Sequence, residues 1–268
     1  MSDSIIPFRF ADIQLSTGVR LHYAEQGNPA NPPVILLHGY SDSWFSYSQV
    51  IDGLAQTAHV FALDQRGHGD SDQPETGYDV PDFAADVVAF MDALNLSSAT
   101  VVGHSMGSLV AQQVALSAPD RVARLVLIGS ATNLRCPEIA ELHQAVMTLD
   151  DPVPVEFIRE FQVSTIFFPI PDQFLERAIT ESQKLSANVW HKVITSLLEF
   201  DSTAALSRIQ SPTLILRGDH DTIFPAPAQQ ALETGIANSK VKIYAETGHA
   251  LHWERPEQWL ADVQEFLG

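Results

Sequence analysis

A serine flanked by glycines stands between a predicted strand and a predicted helix. An apolar run at residues 99–102 leads into G-x-S-x-G at 103–107, and apolar residues at helical spacing follow at once. A strand that turns directly into a helix strains the backbone at the serine and brings main-chain segments close together, so Gly103 and Gly107 have a steric reason to lack side chains. This turn presents the Ser105 hydroxyl above the strand end. N–H groups at the start of the following helix then stabilise negative charge that develops there.

The rest of the chain alternates extended and helical patterns, which indicates βα units and a mainly parallel sheet. Alternating residues on either side of Thr17-Gly18 predict a β-hairpin over residues 8–26. Continuous apolar runs predict strands that are buried on both faces. These strands are predicted at 34–37, 59–63, 99–102, 124–129, 213–218 and 240–244. Helices are predicted between and after them, at 44–54, 80–94, 109–116, 226–235 and 256–267.

The alternation stops between residues 131 and 206. This stretch has no convincing strand, only helical patterns broken by prolines, at 137–149, 153–163, 172–184 and 187–199. An insertion of this length in an α/β chain is typical of a helical subdomain rather than of a loop. The predicted fold is therefore α/β, a mainly parallel doubly wound sheet formed by residues 1–130 and 207–268, with a helical cap at 131–206.

Composition narrows the classes of partner and compartment. The chain has 268 residues, 45% of them hydrophobic and 18% charged, with a formal net charge of −18. Such a negative charge repels phosphate backbones and anionic membrane surfaces, so neither nucleic acid nor a membrane is expected as a partner. No apolar stretch is long enough to span a bilayer, and residues 1–9 lack the apolar core of a signal peptide. With one cysteine and no leader, the predicted location is the cytoplasm. Adaptation to salt is an open explanation of the charge.

A serine hydroxyl is a weak nucleophile that needs a base within hydrogen-bond reach, and the base needs a third group to orient it. Ligands of a parallel sheet collect at the carboxyl ends of its strands. His249 follows the last predicted strand in a loop that contains glycine, and both Asp219 and Asp221 follow the strand before it. Serine, acid and histidine therefore occur in the chain order expected for a nucleophile on such a strand-to-helix turn. This order alone leaves the choice between the two aspartates open.

Several stretches together resemble the α/β-hydrolase fold superfamily, in its carboxylesterase-like serine hydrolases with a helical cap. The matching stretches are 38–40, 64–71, 103–107, 218–221, 248–249 and 254–257, in the order of the family. The family pattern Gly-x-x-Asp selects Asp221 over Asp219. The resemblance also implies that the oxyanion hole consists of the backbone N–H groups of Met106 and Tyr40. Finally, it implies structural roles for Asp64 and Arg66, which match a family loop that braces the strand ends.

No cofactor is expected. No histidine pair has the spacing of a helical zinc motif, so we predict no metal site. The glycine-rich stretch at 66–70 lacks the Lys-Ser/Thr of a phosphate-binding loop, and nucleotide binding is not expected. In the cap, the aromatic segment that contains Phe167 and Phe168 is the apolar surface predicted to close over the nucleophile, which makes these two residues candidate substrate contacts.

The predicted reaction is hydrolysis of a small, neutral carboxylic ester or lactone through an acyl-enzyme on Ser105, with His249 as the base and Asp221 as its orienting acid. Two alternatives stay open. One is hydrolysis of a C–C bond in a vinylogous diketone, although aromatic-ring C–C hydrolases usually carry Gly-Pro-Gly where this chain has Tyr40-Ser-Asp. The other is a ligand receptor or signalling protein that retains the triad. Oligomeric state and physiological role do not follow from the sequence.

Overall fold

The computed structural model describes residues 6–224 and 226–268, so the first five residues of the predicted core lie outside the described part. One eight-stranded sheet runs through the molecule in the order β1-β2-β4-β3-β5-β6-β7-β8. Its strands are β1 (Ile6–Gln14), β2 (Arg20–Gly27), β3 (Pro33–Leu37), β4 (His59–Leu63), β5 (Ala99–His104), β6 (Val122–Ile128), β7 (Thr213–Gly218) and β8 (Ser239–Tyr244). The hairpin β1-β2 is antiparallel and joins β4 in antiparallel register, whereas all pairings from β4 to β8 are parallel.

Helices cover both faces of this sheet, and this confirms the predicted doubly wound α/β class. The helices are α1 (Ile51–Leu54), α2 (Val80–Ala93), α3 (Met106–Ser117), α4 (Pro137–Val146), α5 (Val155–Ser164), α6 (Asp172–Ser182), α7 (Ala187–Glu199), α8 (Ala226–Gly235), α9 (Leu251–Glu254) and α10 (Pro256–Leu267). Strand β3 shows why continuous apolar runs fit this architecture. Ile35 and Leu37 pack in the core on one face, and Val34 and Leu36 pack in a second core on the other. None of the described helices is long and apolar enough to cross a bilayer.

Helices α4 to α7 occupy the chain between β6 and β7, where the sequence predicts the cap. Many of their buried apolar residues, such as Ile158 of α5 and Trp190 of α7, belong to the same hydrophobic cluster as one face of the sheet. The boundaries at 130/131 and 206/207 stay a prediction.

One predicted helix is broken: residues 44–54 form a 3₁₀ turn at Trp44–Tyr47 and then α1. The Trp44 N–H donates to Asp64 Oδ1 at 2.7 Å, which fixes the start of this turn to the loop after β4.

The turn between β5 and α3 has the strain that the sequence predicts. Ser105 adopts φ 51° and ψ −119°, a conformation that L-residues rarely take. A Cβ on Gly103 would lie far inside van der Waals contact with the Gly107 carbonyl, and one on Gly107 would collide with the Leu37 carbonyl of β3. The Ser105 N–H donates to the Ile128 carbonyl of β6 at 3.0 Å. Strands on both sides therefore hold the strained residue in place.

We predict that Gly103→Ala lowers the free energy of unfolding by more than about 4 kcal/mol, because its methyl group meets rigid backbone rather than a movable side chain. Gly18→Ala is the matched control. Gly18 has φ 87°, and a Cβ added there would meet no atom within 4 Å, so only the left-handed backbone opposes the substitution, at about 1–2 kcal/mol. Urea unfolding of both variants measures the difference, and equal losses would show that close packing at the turn is unimportant.

Candidate active site

Three loops at the carboxyl edge of the parallel sheet bring the predicted catalytic residues together. Ser105 follows β5, Asp221 follows β7 and His249 follows β8. Because parallel strands end at the same edge, side chains far apart in sequence meet there. The Asp221 and His249 side chains are almost fully buried, with 1% and 2% of their surface exposed. Water therefore competes little for the hydrogen bonds that orient them.

Asp221 is held by four hydrogen bonds, and one of them joins it to His249. Its Oδ1 accepts the backbone N–H groups of Ile223 and Phe224, both at 2.9 Å. Its Oδ2 accepts Nε2–H of Gln229 at 3.1 Å and Nδ1–H of His249 at 3.0 Å. A carboxylate fixed in this way holds the imidazole as the tautomer that leaves Nε2 unprotonated.

Asp219, the alternative acid, faces elsewhere. Its carboxylate accepts Nδ1–H of the neighbouring His220 at 2.7 Å, and the side chain is 39% exposed. The two aspartates lie two residues apart on one turn and point to different partners. The geometry thus supports the choice of Asp221 that the family pattern implies.

The second ring nitrogen of His249, Nε2, is available to act as a base. Nε2 is buried and has no hydrogen-bond partner among the described residues. Ser105 and His249 line the same cavity, but no hydrogen bond joins the Ser105 hydroxyl to Nε2 there. Such bonds often become short only when substrate is bound. Phe224 packs edge to face against the His249 ring, with centroids 5.1 Å apart.

The two backbone donors implied for the oxyanion hole also line this cavity. Tyr40 lies in the loop after β3, and Met106 is the first residue of α3. Neither N–H donates to another group in the described part of the chain. The Tyr40 hydroxyl donates to the Trp190 carbonyl of α7 at 2.7 Å, which fixes the loop against the cap. Burial raises the pKa of this hydroxyl well above its usual value, so it stays protonated. The oxyanion role itself stays a prediction.

The cap is bonded directly to the loop that carries His249. The carbonyl of Thr165, just after α5, accepts the N–H of His249 at 2.9 Å and that of Ala250 at 3.2 Å. The buried carboxylate of Glu254 joins the same two segments, since it accepts the N–H groups of Gly248 at 3.0 Å, of Phe167 at 3.1 Å and of Phe168 at 2.5 Å. Burial raises the pKa of Glu254, and these N–H donors oppose that shift.

A narrow cavity lies above Ser105, between core and cap. The cap lines it mainly with apolar side chains, namely Leu134, Ile139, Leu142, Phe161, Ile194 and Leu197. No lysine or arginine is among its lining residues in the described chain. The polar groups beside the triad are Asp42, His104, Gln162 and Thr165. Sequence reasoning missed Gln162 and Thr165, because only the folded cap brings them to the serine, and it missed Asp42, which lies in the polar loop after β3.

The structure does not bring Phe167 and Phe168 to the cavity. Their side chains are 50% and 38% exposed, and neither is among the lining residues. Phe167 stacks on His220 with centroids 3.8 Å apart, and the Arg255 guanidinium lies 3.4 Å from the centre of the Phe168 ring. Their backbone N–H groups are tied to Glu254, which turns the aromatic rings outward. Phe161, in the last part of α5, is the aromatic cap residue that lines the cavity instead.

Outside the cavity, Arg66 and Asp64 make the bracing contacts that the resemblance implies. Arg66 binds Asp86 of α2 through two hydrogen bonds of 2.6 Å, and Asp64 accepts the Asp70 N–H at 2.8 Å. In the described residues, His22, Asp64 and Asp70 lie close enough to share an ion. Both Asp64 oxygens already accept backbone N–H groups, and Asp70 pairs with Lys184 at 2.8 Å. This cluster is explained by the fold alone.

Comparison with known proteins agrees with this arrangement. A family model described as alpha/beta hydrolase fold matches residues 32–256. A non-heme chloroperoxidase of Streptomyces lividans is 31% identical, over 95% of this chain and 98% of its own length. A 3-oxoadipate enol-lactonase of Acinetobacter baylyi is 27% identical, over 97% of each chain. The crystal structure of a hydrolase from Pseudomonas aeruginosa superposes with a TM-score of 0.88 at 26% identity, covering 97% of this chain and 98% of that one.

We predict that Glu254→Gln lowers kcat on the order of 10²-fold with little change in KM, because an amide cannot accept all three N–H groups and the His249 loop shifts. The pH profile of kcat should move as well, since the orientation of the base changes. Glu257→Gln is the matched control, because Glu257 is exposed on the neighbouring turn. Steady-state measurements of kcat and KM on one ester compare wild type with the two variants. Equal kinetics in the two variants would remove this positioning role.

Proposed function

The chain belongs to the alpha/beta hydrolase fold family, and from this membership and the geometry of the cavity we propose that it is a serine hydrolase of small neutral carboxylic esters or lactones. The observation that carries the proposal is the buried Asp221–His249 hydrogen bond, which leaves Nε2 free in the cavity that Ser105 lines. Nucleophile, base and orienting acid are thus available in one site.

In the proposed reaction, the Ser105 oxygen attacks the ester carbonyl while His249 Nε2 takes the hydroxyl proton. The carbonyl oxygen becomes an oxyanion, for which the N–H groups of Tyr40 and Met106 are available. His249 returns the proton to the leaving alcohol as the C–O bond breaks. Water, deprotonated by the same nitrogen, then attacks the acyl-enzyme and releases the acid. Asp221 stabilises the imidazolium that forms in both steps.

The charge around the cavity favours neutral substrates over anionic ones. A carboxylate in an apolar cavity needs a partner, and the lining offers no lysine or arginine. The two cap arginines that could reverse this preference point outward. Arg159 binds Glu176 at 2.6 Å on the surface, and Arg177, 53% exposed, pairs with Glu181 at 2.6 Å. The net charge of −18 adds repulsion at long range.

The same features bear on the two alternatives. A C–C hydrolase acting on a carboxylate-bearing diketone would need a cation in the cavity, so the outward arginines weaken that alternative. A receptor that keeps the triad would be acylated without steady turnover. Sustained release of acid beyond one equivalent separates an enzyme from such a receptor, and a screen of esters, lactones and a vinylogous diketone separates the reactions.

We predict that Ser105→Ala lowers kcat on the order of 10⁴-fold or more, because the members of a triad act as a unit. Asp221→Asn should cost roughly 10⁴-fold through the wrong imidazole tautomer, whereas the matched control Asp219→Asn should cost far less. A fluorophosphonate should label wild type at Ser105 and leave Ser105→Ala unlabelled. Retained turnover in Ser105→Ala would remove the mechanism, and the reverse ranking of the aspartates would move the acid to Asp219.

We predict that ethyl levulinate is hydrolysed with a kcat/KM about tenfold or more above that of monoethyl succinate, which carries a carboxylate where levulinate has a methyl ketone. The difference should narrow at high salt, since salt screens the long-range part of the repulsion. Measurements at low and high ionic strength test both statements. A faster anionic ester, lost on Arg159→Ala or Arg177→Ala, would defeat the prediction and favour the C–C hydrolase alternative.

A further inference from the structure

Two buried polar side chains that the triad mechanism does not use face each other on the cavity wall. Asp42 is 6% exposed and His104 is 3% exposed, and both line the cavity together with Ser105. Asp42 Oδ2 and His104 Nδ1 are 3.9 Å apart, too far for a hydrogen bond between them. Buried polar atoms in native proteins almost always have a partner, so the unpartnered His104 Nδ1 beside this carboxylate calls for an explanation.

The hydrogen bonds of His104 show that its Nδ1 is an acceptor. Its Nε2 lies 3.3 Å from the His249 carbonyl, which can only accept, so Nε2 carries the hydrogen. Burial, together with the neighbouring His252 and His249, holds the pKa of His104 well below its ordinary value, so the ring is neutral. The Nδ1 atom therefore carries a lone pair, and it has no partner among the described residues.

Asp42 supplies the second acceptor. Its Oδ1 accepts Nε2–H of Gln162, from the cap, at 2.9 Å, and Oδ2 has a long contact of 3.5 Å from the Ser46 hydroxyl. The Gly39 backbone N–H also lies near this carboxylate. Burial raises the pKa of Asp42 to about 6, and the Gln162 hydrogen bond and the neighbouring His249 oppose that shift. Above that pH the side chain is a carboxylate with free acceptor capacity on Oδ2.

Gly39 keeps this place open. A Cβ at residue 39 would lie 2.9 Å from His104 Nδ1 and 3.1 Å from Asp42 Oδ2, so any larger residue would crowd both atoms. Gly39 also lines the cavity, next to Tyr40. The two acceptors and the glycine thus form a polar niche in a wall that is otherwise mostly apolar.

We propose that this niche is a substrate subsite that binds an –NH₂ group, as a primary amine or a primary amide, on the ester or lactone. Two acceptors 3.9 Å apart suit two hydrogens on one nitrogen, one directed at Asp42 Oδ2 and the other at His104 Nδ1. A hydroxyl has one hydrogen and leaves one acceptor unpaired, and a carboxylate has none. The inference rests on the proposed function, because it assigns a substrate class to the cavity of Ser105, and it extends that function from neutral esters to esters that carry a protonated amine.

The charge of the protein agrees with this assignment. The cavity lining holds the Asp42 carboxylate and no lysine or arginine among the described residues, so no cationic side chain of the lining competes with a ligand N–H group for this carboxylate. A protonated amine would also be drawn towards a protein with a net charge of −18. Hydrogen bonds to a charged group contribute about 1.5–3 kcal/mol, which is roughly tenfold or more in affinity.

Matched ester pairs that exchange –CH₃ for a nitrogen group test the subsite. On the acyl side the pairs are ethyl butanoate with ethyl 3-aminopropanoate, and ethyl levulinate with ethyl succinamate. On the alcohol side they are butyl acetate with 3-aminopropyl acetate, and acetonyl acetate with carbamoylmethyl acetate. The amine and amide pairs separate the two forms of the donor. In wild type, the kcat/KM ratio of nitrogen to methyl ester, divided by the same ratio for alkaline hydrolysis, should exceed about tenfold for at least one pair.

The variant Asp42→Asn sharpens this test, because asparagine keeps an oxygen for Gln162 and puts an N–H donor in place of Oδ2. For the ester pair with the highest nitrogen-to-methyl kcat/KM ratio in wild type, we expect this ratio to fall at least about tenfold in Asp42→Asn. The control Asp52→Asn removes one exposed negative charge and should leave the ratio at its wild-type value.

Ratios near one for every pair in wild type would overturn the subsite. So would an equal loss on both members of each pair in Asp42→Asn, which would instead indicate a bound water or a general role of Asp42. Ser105→Ala, assayed on ethyl butanoate, separates these outcomes from failure of the proposed function: activity that survives in that variant removes the acyl-enzyme itself, whatever the ratios are.

Discussion

The left-handed backbone at Ser105 is the constraint on which the rest of the site depends. A non-glycine residue in this conformation costs of the order of 1–3 kcal/mol and persists only where its surroundings fix it. Here β3 packs against Gly107, and β6 accepts the Ser105 N–H. The parallel register of β3, β5 and β6 therefore sets the position of the nucleophile, and a loop alone could not hold it.

Short-range patterns explain why so much could be predicted from the sequence. The strained turn, the buried strands and the order of Ser105, Asp221 and His249 depend on neighbours in the chain and on the common edge of a parallel sheet. Asp42 could not be found in this way. It lies four residues beyond His38 in a polar loop, and only its contact with Gln162, 120 residues later, shows that it is buried in the cavity.

A similar reason explains why Phe167 and Phe168, the predicted substrate contacts, do not line the cavity. Hydrophobicity pointed to Phe167 and Phe168, but backbone hydrogen bonds to Glu254 decide their orientation. A helical pattern indicates which side of a helix is apolar, and it carries no information about a segment that follows the helix in irregular conformation. Phe161 lies within α5 and could have been selected by its spacing.

The His249 N–H donates to the Thr165 carbonyl, so one part of the cap is bonded to the catalytic loop. The sequence of that part is less free to change than the sequence of the rest of the cap. Helices α4 and α7 contribute side chains to the cavity, so their substitution alters what fits above Ser105 without disturbing the base. In residues 165–168, by contrast, the Thr165 carbonyl accepts the N–H groups of His249 and Ala250, and the N–H groups of Phe167 and Phe168 donate to Glu254. Exchange of whole caps between relatives is therefore expected to disrupt catalysis unless this short segment is transferred together with its own histidine loop. New substrate ranges can instead arise by substitutions in α4 and α7.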